Sequence, residues 1–194
     1  MLGKDLYRTV EAAVKGGVSM VQLREKESST REFVERAIRL KEVLTPYGVP
    51  LIINDRVDVA LAADADGVHV GQSDMLYEMV KRLLPEGKII GLSVESPEQV
   101  LEANNYDLDY VAASPVFSTT TKTNTIVEWG LDGLRWIRSV SRHPLVAIGG
   151  IHSNNVASIF KAGADSVAVI SAIVSADDPE RAARELLEKS GEPH

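Results

Sequence analysis

The sequence lacks cysteine altogether, so no disulfide and no thiolate-ligated metal can contribute to its structure or chemistry. Aromatic residues are also few, at 5%, which is too few for an aromatic platform that stacks nucleic-acid bases. Lys and Arg number 21 against 28 Asp and Glu, a formal charge of 21 − 28 = −7, which disfavours a nucleic-acid-binding role. No secretory leader and no apolar run of membrane length are visible. We therefore expect a cytoplasmic protein that binds neither nucleic acid nor a membrane.

The pattern of apolar residues predicts a single β/α-barrel domain over residues 1–194. Short apolar runs alternate with amphipathic segments along the whole chain, which is typical of parallel βαβ units. Seven strands are predicted, near residues 20, 52, 68, 90, 111, 146 and 168. A TIM (β/α)8 barrel has about eight strands, so we expect a barrel of this type whose first strand is absent from the chain. Such a barrel would have two open strand edges, which makes self-association possible without defining an oligomeric state.

The same periodicity predicts helices between the strands. They are expected over residues 5–15, 31–44, 57–63, 76–84, 97–103, 131–141, 156–162 and 178–189. Ser29 or Thr30 is the expected N-cap of the second helix and Ser153 that of the seventh, since a hydroxyl can accept from the unbonded N–H groups of a first turn.

The segment from Val146 to Ile173 has the pattern of a phosphate site. A buried strand ends at Gly149-Gly150, a short helix follows, and a second strand ends at Ser171. The loops after the last two strands of a TIM barrel commonly hold a phosphate on backbone N–H groups. A Gly-Gly pair alone is more often a simple tight turn, but the second strand at βαβ spacing favours the phosphate site.

Positive charge is concentrated at the end of the first predicted strand. Gln22, Arg24 and Lys26 occupy alternate positions, so on an extended chain they project to one side. Solvated charges at a strand end would produce the same pattern. An Arg and a Lys converging on one point would also bind a diphosphate well.

Carboxylates follow the next two strands. Asp55 comes after Asn54 at one strand end and Asp74 follows the next, an arrangement that suits Mg²⁺ shared with substrate phosphates. A turn at Asn54-Asp55 and a helix cap at Asp74 are equally compatible with the sequence. Lys122 adds a cation on the polar loop 118–125, where either a functional lid or plain surface is possible.

The histidines do not indicate a catalytic base. His69 lies in the middle of an apolar strand and is expected to be a packed barrel-interior residue. His143 and His152 are expected in loops. No Ser-His-Asp arrangement, P-loop or dinucleotide-binding fingerprint is recognisable.

Taken together, these segments resemble the thiamine-phosphate synthase (thiamine-phosphate pyrophosphorylase) family over nearly the whole chain and in the family's order. The matching segments are QLREK at Gln22–Lys26, Asn54-Asp55, ADGVHVGQSD at Ala65–Asp74, Ser93, PVFSTTTK at Pro115–Lys122, AIGGI at Ala147–Ile151 and AGADSVAVISAI at Ala162–Ile173.

The resemblance implies that 4-amino-2-methyl-5-(diphosphomethyl)pyrimidine is joined to a thiazole phosphate, giving thiamine phosphate and diphosphate. It implies a dissociative, Mg²⁺-assisted reaction in which diphosphate leaves before the thiazole nitrogen attacks. The thiazole substrate would be 4-methyl-5-(2-phosphoethyl)thiazole or its carboxylated form.

The resemblance also implies a role for each site residue. The pyrimidine diphosphate would be bound by Gln22, Leu23, Arg24, Glu25, Lys26, Asn54, Ser93 and Lys122. Among these, Arg24, Lys26 and Lys122 would be catalytic, because they stabilise the departing anion. Asp55 and Asp74 would hold Mg²⁺, and the thiazole phosphate would be bound by Thr119, Thr120, Thr121, Gly150, Ile170 and Ser171.

The sequence departs from the family pattern in three places. Glu95 stands where the family often has a histidine, Ser118 stands where a proline is common, and no strand precedes the first predicted helix. Three other functions fit a similar scaffold: a thiazole tautomerase, a non-catalytic binding barrel, and another phosphate-handling barrel enzyme. The cations, the two carboxylates and QLREK favour the synthase over all three.

Overall fold

The computed structural model describes residues 5–117 and 128–191. Within these ranges seven parallel strands form one sheet, and each strand pairs with its neighbours in chain order. The strands are β1 Val21–Leu23, β2 Leu51–Asn54, β3 Gly67–Val70, β4 Ile89–Val94, β5 Tyr110–Ala113, β6 Leu145–Ile148 and β7 Ser166–Ala168. The sheet is a curled half-barrel of TIM type with β1 and β7 at its edges, which confirms the predicted fold and the predicted number of strands in the described chain.

The helices alternate with the strands on the outside of the sheet. They are α1 Leu6–Lys15, α2 Thr30–Leu44, α3 Val57–Ala62, α4 Tyr77–Leu83, α5 Pro97–Ala103, α6 Gly130–Val140, α7 Val156–Lys161, α8 Ser171–Val174 and α9 Pro179–Ser190. Eight of these helices were expected from the sequence, and the short α8 was not. No helix in the described ranges is both long and apolar enough to cross a bilayer.

Local capping explains where some helices begin. Ser29 accepts a hydrogen bond from the Glu32 N–H, and the Glu32 carboxylate accepts from the Ser29 N–H, a reciprocal capping box that confirms the expected start of α2. The prediction for Ser153 was wrong, because α7 begins after Asn155. The Asn155 side chain forms hydrogen bonds within the loop after β6, as described below.

The core lies between the sheet and the helices. β2, β3 and β5 are buried along their entire length, as expected for central strands of a parallel sheet covered by helices. In α2, Phe33, Ala37, Leu40 and Leu44 form the buried stripe, and the helix packs against β2.

The first and last helices pack against each other, so the helical layer continues from one end of the chain to the other. Gly16, the C-cap of α1, lies so close to α9 that a Cβ atom there would be 2.3 Å from the Glu180 carbonyl oxygen. Only glycine permits this approach of the two backbones.

Aspartates at the amino ends of three strands join neighbouring strands in pairs. The Asp66 carboxylate accepts from the Leu51 N–H at 2.8 Å, linking the start of β3 to that of β2. Asp109 and Asp165 repeat this contact between β5 and β4 and between β7 and β6, at 2.7 and 2.8 Å. Side-chain hydrogen bonds therefore stabilise the amino end of the sheet. The polar residues discussed below lie at the opposite, carboxyl end.

Candidate active site

A cavity of about 1310 Å³ opens at the carboxyl ends of the strands. It is lined by polar side chains that follow β1 to β4 and by the loops that follow β6 and β7. Predicted site residues that line it are Gln22, Arg24, Lys26, Asn54, Asp55, Asp74, Ser93, Gly150, Ile170 and Ser171. The carboxyl ends of parallel strands meet at one edge of a barrel, which is why residues far apart in sequence share this cavity.

Two residues of the QLREK segment, Leu23 and Glu25, are not among the residues that line the cavity. The Leu23 side chain is buried in the hydrophobic core, and the Glu25 carboxylate pairs with Arg36 of α2 at 2.7 Å. Gln22, Arg24 and Lys26 line the cavity. The segment therefore alternates between two faces, as an extended chain must.

Asp55 and Asp74 both line the cavity and lie within hydrogen-bonding reach of each other. Burial, together with a hydrogen bond and charge repulsion from Asp74, raises the pKa of Asp55 to about 6, although Arg24 and Asn54 act in the opposite direction. Asp55 also has a left-handed backbone with φ of 64°, a conformation that costs energy in a residue with a side chain. Two carboxylates held this close favour a shared proton or a bound cation.

Asp74 does not cap a helix. The N-cap of α4 is Leu76, and the Asp74 carboxylate accepts a hydrogen bond from the Gly71 N–H at 2.7 Å. This contact holds the carboxylate inside the loop after β3. In the described ranges no group of three or more potential metal-ligating side chains occurs, so any metal on this pair would need other ligands as well.

A buried polar cluster adjoins the cavity, which two of its members, His69 and Ser93, line. His69 is 4% exposed, and its Nδ1 and Nε2 atoms lie 3.0 Å from the Tyr110 hydroxyl and 2.8 Å from Ser93 Oγ. This confirms the prediction that His69 is a packed interior residue. The Gln22 side chain lies close enough to the Tyr110 hydroxyl to interact with it.

The glycine pair after β6 forms a loop with two consecutive left-handed residues. Gly149 and Gly150 have φ of 101° and 66°, values that favour glycine. The Asn155 amide donates to the Gly150 carbonyl at 2.8 Å, and its oxygen accepts from the His152 N–H at 2.9 Å, so Asn155 fixes the loop. Ser171, the first residue of α8, lines the same side of the cavity.

Four predicted site residues, Thr119, Thr120, Thr121 and Lys122, lie outside the described residues, as does the polar loop 118–125 to which they belong. Two backbone hydrogen bonds hold the preceding residues, Val116 and Phe117, against the end of β6 and the glycine loop. Val116 N–H donates to the Ile148 carbonyl at 2.8 Å, and Phe117 N–H donates to that of Gly149 at 3.2 Å.

Sequence reasoning missed several residues of the cavity. Gln72, Ser73, Glu95, Glu128 and Asn155 also line it. Gln72 and Ser73 lie within the matching segment ADGVHVGQSD and Glu95 was noted only as a departure from the family pattern, whereas Glu128 and Asn155 lie just before helices. Gln72 has a structural contact as well, since its amide donates to the Ser93 carbonyl at 2.6 Å. His143 was expected in a loop and is in one, but it is buried and contacts the Leu108 and Ala103 carbonyls.

The fold and site together define a β/α-barrel enzyme whose polar residues lie at the carboxyl ends of the strands. Residues 1–173 match the family model of thiamine monophosphate synthase. The chain belongs to this family and is an enzyme of thiamine biosynthesis.

Relatives and solved structures agree with this assignment. The chain is 52% identical over 177 residues to the thiamine-phosphate synthase of Albidiferax ferrireducens, covering 91% of this chain and 81% of the relative. It is 50% identical over 182 residues to that of Vibrio parahaemolyticus, covering 94% and 89% of the two chains. The thiamine phosphate pyrophosphorylase structure from Pyrococcus furiosus is 41% identical, has a TM-score of 0.88, and covers 96% of this chain and 90% of its own.

A more distant structure shares the fold alone. Orotidine 5'-phosphate decarboxylase from Pyrococcus horikoshii superposes with a TM-score of 0.70 at 18% identity, covering 97% of each chain.

Proposed function

We propose that the chain joins 4-amino-2-methyl-5-(diphosphomethyl)pyrimidine to 4-methyl-5-(2-phosphoethyl)thiazole and releases diphosphate and thiamine phosphate. The observation that carries this proposal is the pairing of Asp55 and Asp74 beside Arg24, in one cavity with the glycine loop. The cavity thus contains one region suited to a metal diphosphate and another suited to a phosphate.

The carboxylate pair fits Mg²⁺. Burial and the neighbouring Asp74 raise the pKa of Asp55, so a cation bound beside the pair would stabilise its ionised form. Mg²⁺ prefers oxygen ligands and usually completes its site with water and substrate phosphates. Asp55 and Asp74 would hold the ion, and when bound it would neutralise charge on the diphosphate.

The chain's own cations would bind and stabilise the diphosphate as it leaves. Arg24 and Lys26 line the cavity from the end of β1, and Arg24 is close enough to Asp55 to influence its charge. Lys122 would contribute a third cation. Their positive charge favours a dissociative reaction, because negative charge on the diphosphate increases as its bond to the pyrimidine methylene breaks.

The thiazole phosphate would occupy the opposite side of the cavity. Gly150, Ile170 and Ser171 line that side, where left-handed glycine backbone allows a phosphate to approach N–H groups closely. Thr119, Thr120 and Thr121 would complete this site, since the preceding Phe117 is bonded to the glycine loop. The thiazole nitrogen carries its own lone pair, so no general base is needed for the attack on the pyrimidine cation.

The test is incubation of the purified chain with both substrates and Mg²⁺, followed by detection of thiamine phosphate and diphosphate. Formation of both in equal amounts supports the proposal. Isomerisation of a thiazole phosphate without diphosphate release would identify a tautomerase, and binding without turnover would identify a binding protein. Parallel reactions with the carboxylated thiazole phosphate would show which form is preferred.

A further inference from the structure

Four strands contribute one aligned layer of residues at the cavity, and two of these residues, Asn54 and His69, line it. Asn54 is paired in register with His69, His69 with Gly91, and Gly91 with Tyr110. The absence of a side chain at Gly91 leaves space for the Tyr110 ring, because a Cβ atom there would lie 2.1 Å from Cζ of Tyr110. The Tyr110 ring occupies that space and stacks on His69 with centroids 5.5 Å apart and an interplanar angle of 17°.

This arrangement produces a continuous chain of side-chain hydrogen bonds. It runs from Gln22 to the Tyr110 hydroxyl, from that hydroxyl to His69 Nδ1 at 3.0 Å, and from His69 Nε2 to Ser93 Oγ at 2.8 Å. Tyr110 and Ser93 are 7% and 6% exposed. Ser93 and Gln22, at the two ends, both line the cavity.

The chain of hydrogen bonds has a direction. Burial raises the pKa of Tyr110 far above its ordinary value, so the hydroxyl keeps its proton and is able to donate it. The acceptor for that proton is His69 Nδ1, which lies 3.0 Å from the hydroxyl oxygen. A neutral imidazole that accepts at Nδ1 carries its proton on Nε2. Ser93 Oγ then accepts from His69, and its own proton is directed elsewhere.

We propose that Tyr110 is a positioning residue for the synthase reaction: through His69, it makes the Ser93 hydroxyl a hydrogen-bond donor toward the pyrimidine diphosphate substrate. The identity of the substrate rests on the proposed function, whereas the histidine tautomer is a property of the free enzyme. Phosphate oxygens and pyrimidine ring nitrogens are acceptors, so a serine held as a donor recognises them, and one held as an acceptor does not.

The first experiment measures the tautomer without substrate. Nitrogen-15 NMR of the imidazole groups in the full chain distinguishes protonation at Nδ1 from protonation at Nε2, and His69→Gln identifies the signals of His69. We expect the Nε2-protonated tautomer in the wild type and a mixture of tautomers in Tyr110→Phe. A wild-type His69 protonated at Nδ1 alone, or a tautomer unchanged in Tyr110→Phe, would overturn the proposal.

The second experiment is a double-mutant cycle with Tyr110→Phe and Ser93→Ala. Tyr110→Phe should lower kcat/KM for the pyrimidine diphosphate about tenfold, roughly the value of one hydrogen bond to a charged group. It should leave KM for the thiazole phosphate unchanged. In the Ser93→Ala background, Tyr110→Phe should have no further effect, and an equal effect in both backgrounds would contradict the route through Ser93.

Tyr106→Phe is the matched control. It removes a hydroxyl that bonds to Glu102 at 2.9 Å, outside the cavity, and should leave both kinetic constants unchanged. If the wild type forms no thiamine phosphate, the proposed function fails, and the tautomer measurement still decides whether Tyr110 directs His69.

Discussion

The carboxylates of Asp55 and Asp74 lie within hydrogen-bonding reach of each other, although they belong to loops after two different strands. The strands β2 and β3 are hydrogen-bonded neighbours in which Asn54 is level with His69. Their carboxyl ends therefore bring the two loops together. Because like charges at this distance repel, protons and Mg²⁺ should compete for the same pair.

Mg²⁺ dependence should therefore change with pH. The pKa of Asp55 is raised to about 6, so the Mg²⁺ concentration for half-maximal activity should be higher at about pH 5 than at about pH 8. Asp74→Asn should lower turnover and raise the Mg²⁺ requirement at the higher pH. A variant with wild-type Mg²⁺ dependence would remove Asp74 from the metal site.

The stability of the metal-free chain should also change with pH because of Asp55, and this contribution should decrease as the pH rises. A carboxyl group whose pKa is raised on folding contributes stability below its ordinary pKa of 3.8, and this is lost as pH rises through about 6. The Tm of the wild type should therefore fall relative to that of Asp55→Asn between about pH 4 and about pH 7. Asp132→Asn, whose carboxylate is 98% exposed, is the control and should track the wild type. If the Tm of Asp55→Asn changes with pH in the same way as that of the wild type, Asp55 does not titrate in this range.

Gly150→Val should weaken binding of the thiazole phosphate more than that of the pyrimidine diphosphate, because a side chain there obstructs the approach to backbone N–H groups. Gly48 provides a matched control, since its φ of 64° is close to the 66° of Gly150 and nothing lies within 4 Å of an added Cβ. Gly48→Val reproduces the backbone strain without touching the cavity. Equal rises in KM for both substrates in Gly150→Val would contradict the proposed division of the cavity.

Gly91→Ala should displace the Tyr110 ring, because the new methyl group would overlap Cζ. Overpacking of this kind costs about 1–3 kcal/mol, and activity should fall together with stability. Tyr110→Ala removes the overlapping ring, so Gly91→Ala should cost much less stability in that background. Unfolding curves of the two single variants and the double variant measure this, and additive losses would show that the two residues do not compete for space.

Asp109→Ala should lower the free energy of unfolding by about 1 kcal/mol, the usual value of a lost hydrogen bond at a half-exposed position. Asp109 bonds the Ile90 N–H at the amino end of the sheet, far from the cavity, so KM for both substrates should not change. Asp109→Asn retains an acceptor oxygen and should lose less stability. A change in substrate KM would indicate that this end of the barrel is coupled to the site.

The sequence by itself determined the strands, most of the helices and the side of the barrel on which function lies. The apolar runs at Leu51–Asn54 and Tyr110–Ala113 are short and fully buried, and local hydrophobic periodicity is sufficient to reveal such strands. Alternation along the β1 end likewise showed that Gln22, Arg24 and Lys26 share a face, since the period of an extended chain is two residues.

Only the tertiary structure decided which polar residues meet. His69 and Tyr110 are 41 positions apart in the sequence. Their contact depends on the register of two strand pairs and on the space that glycine leaves at position 91. Likewise, the pairing of Glu25 with Arg36 and the burial of His143 depend on how a helix or a neighbouring loop packs. Local propensity cannot encode such contacts, because each requires side chains from separate elements to occupy the same volume.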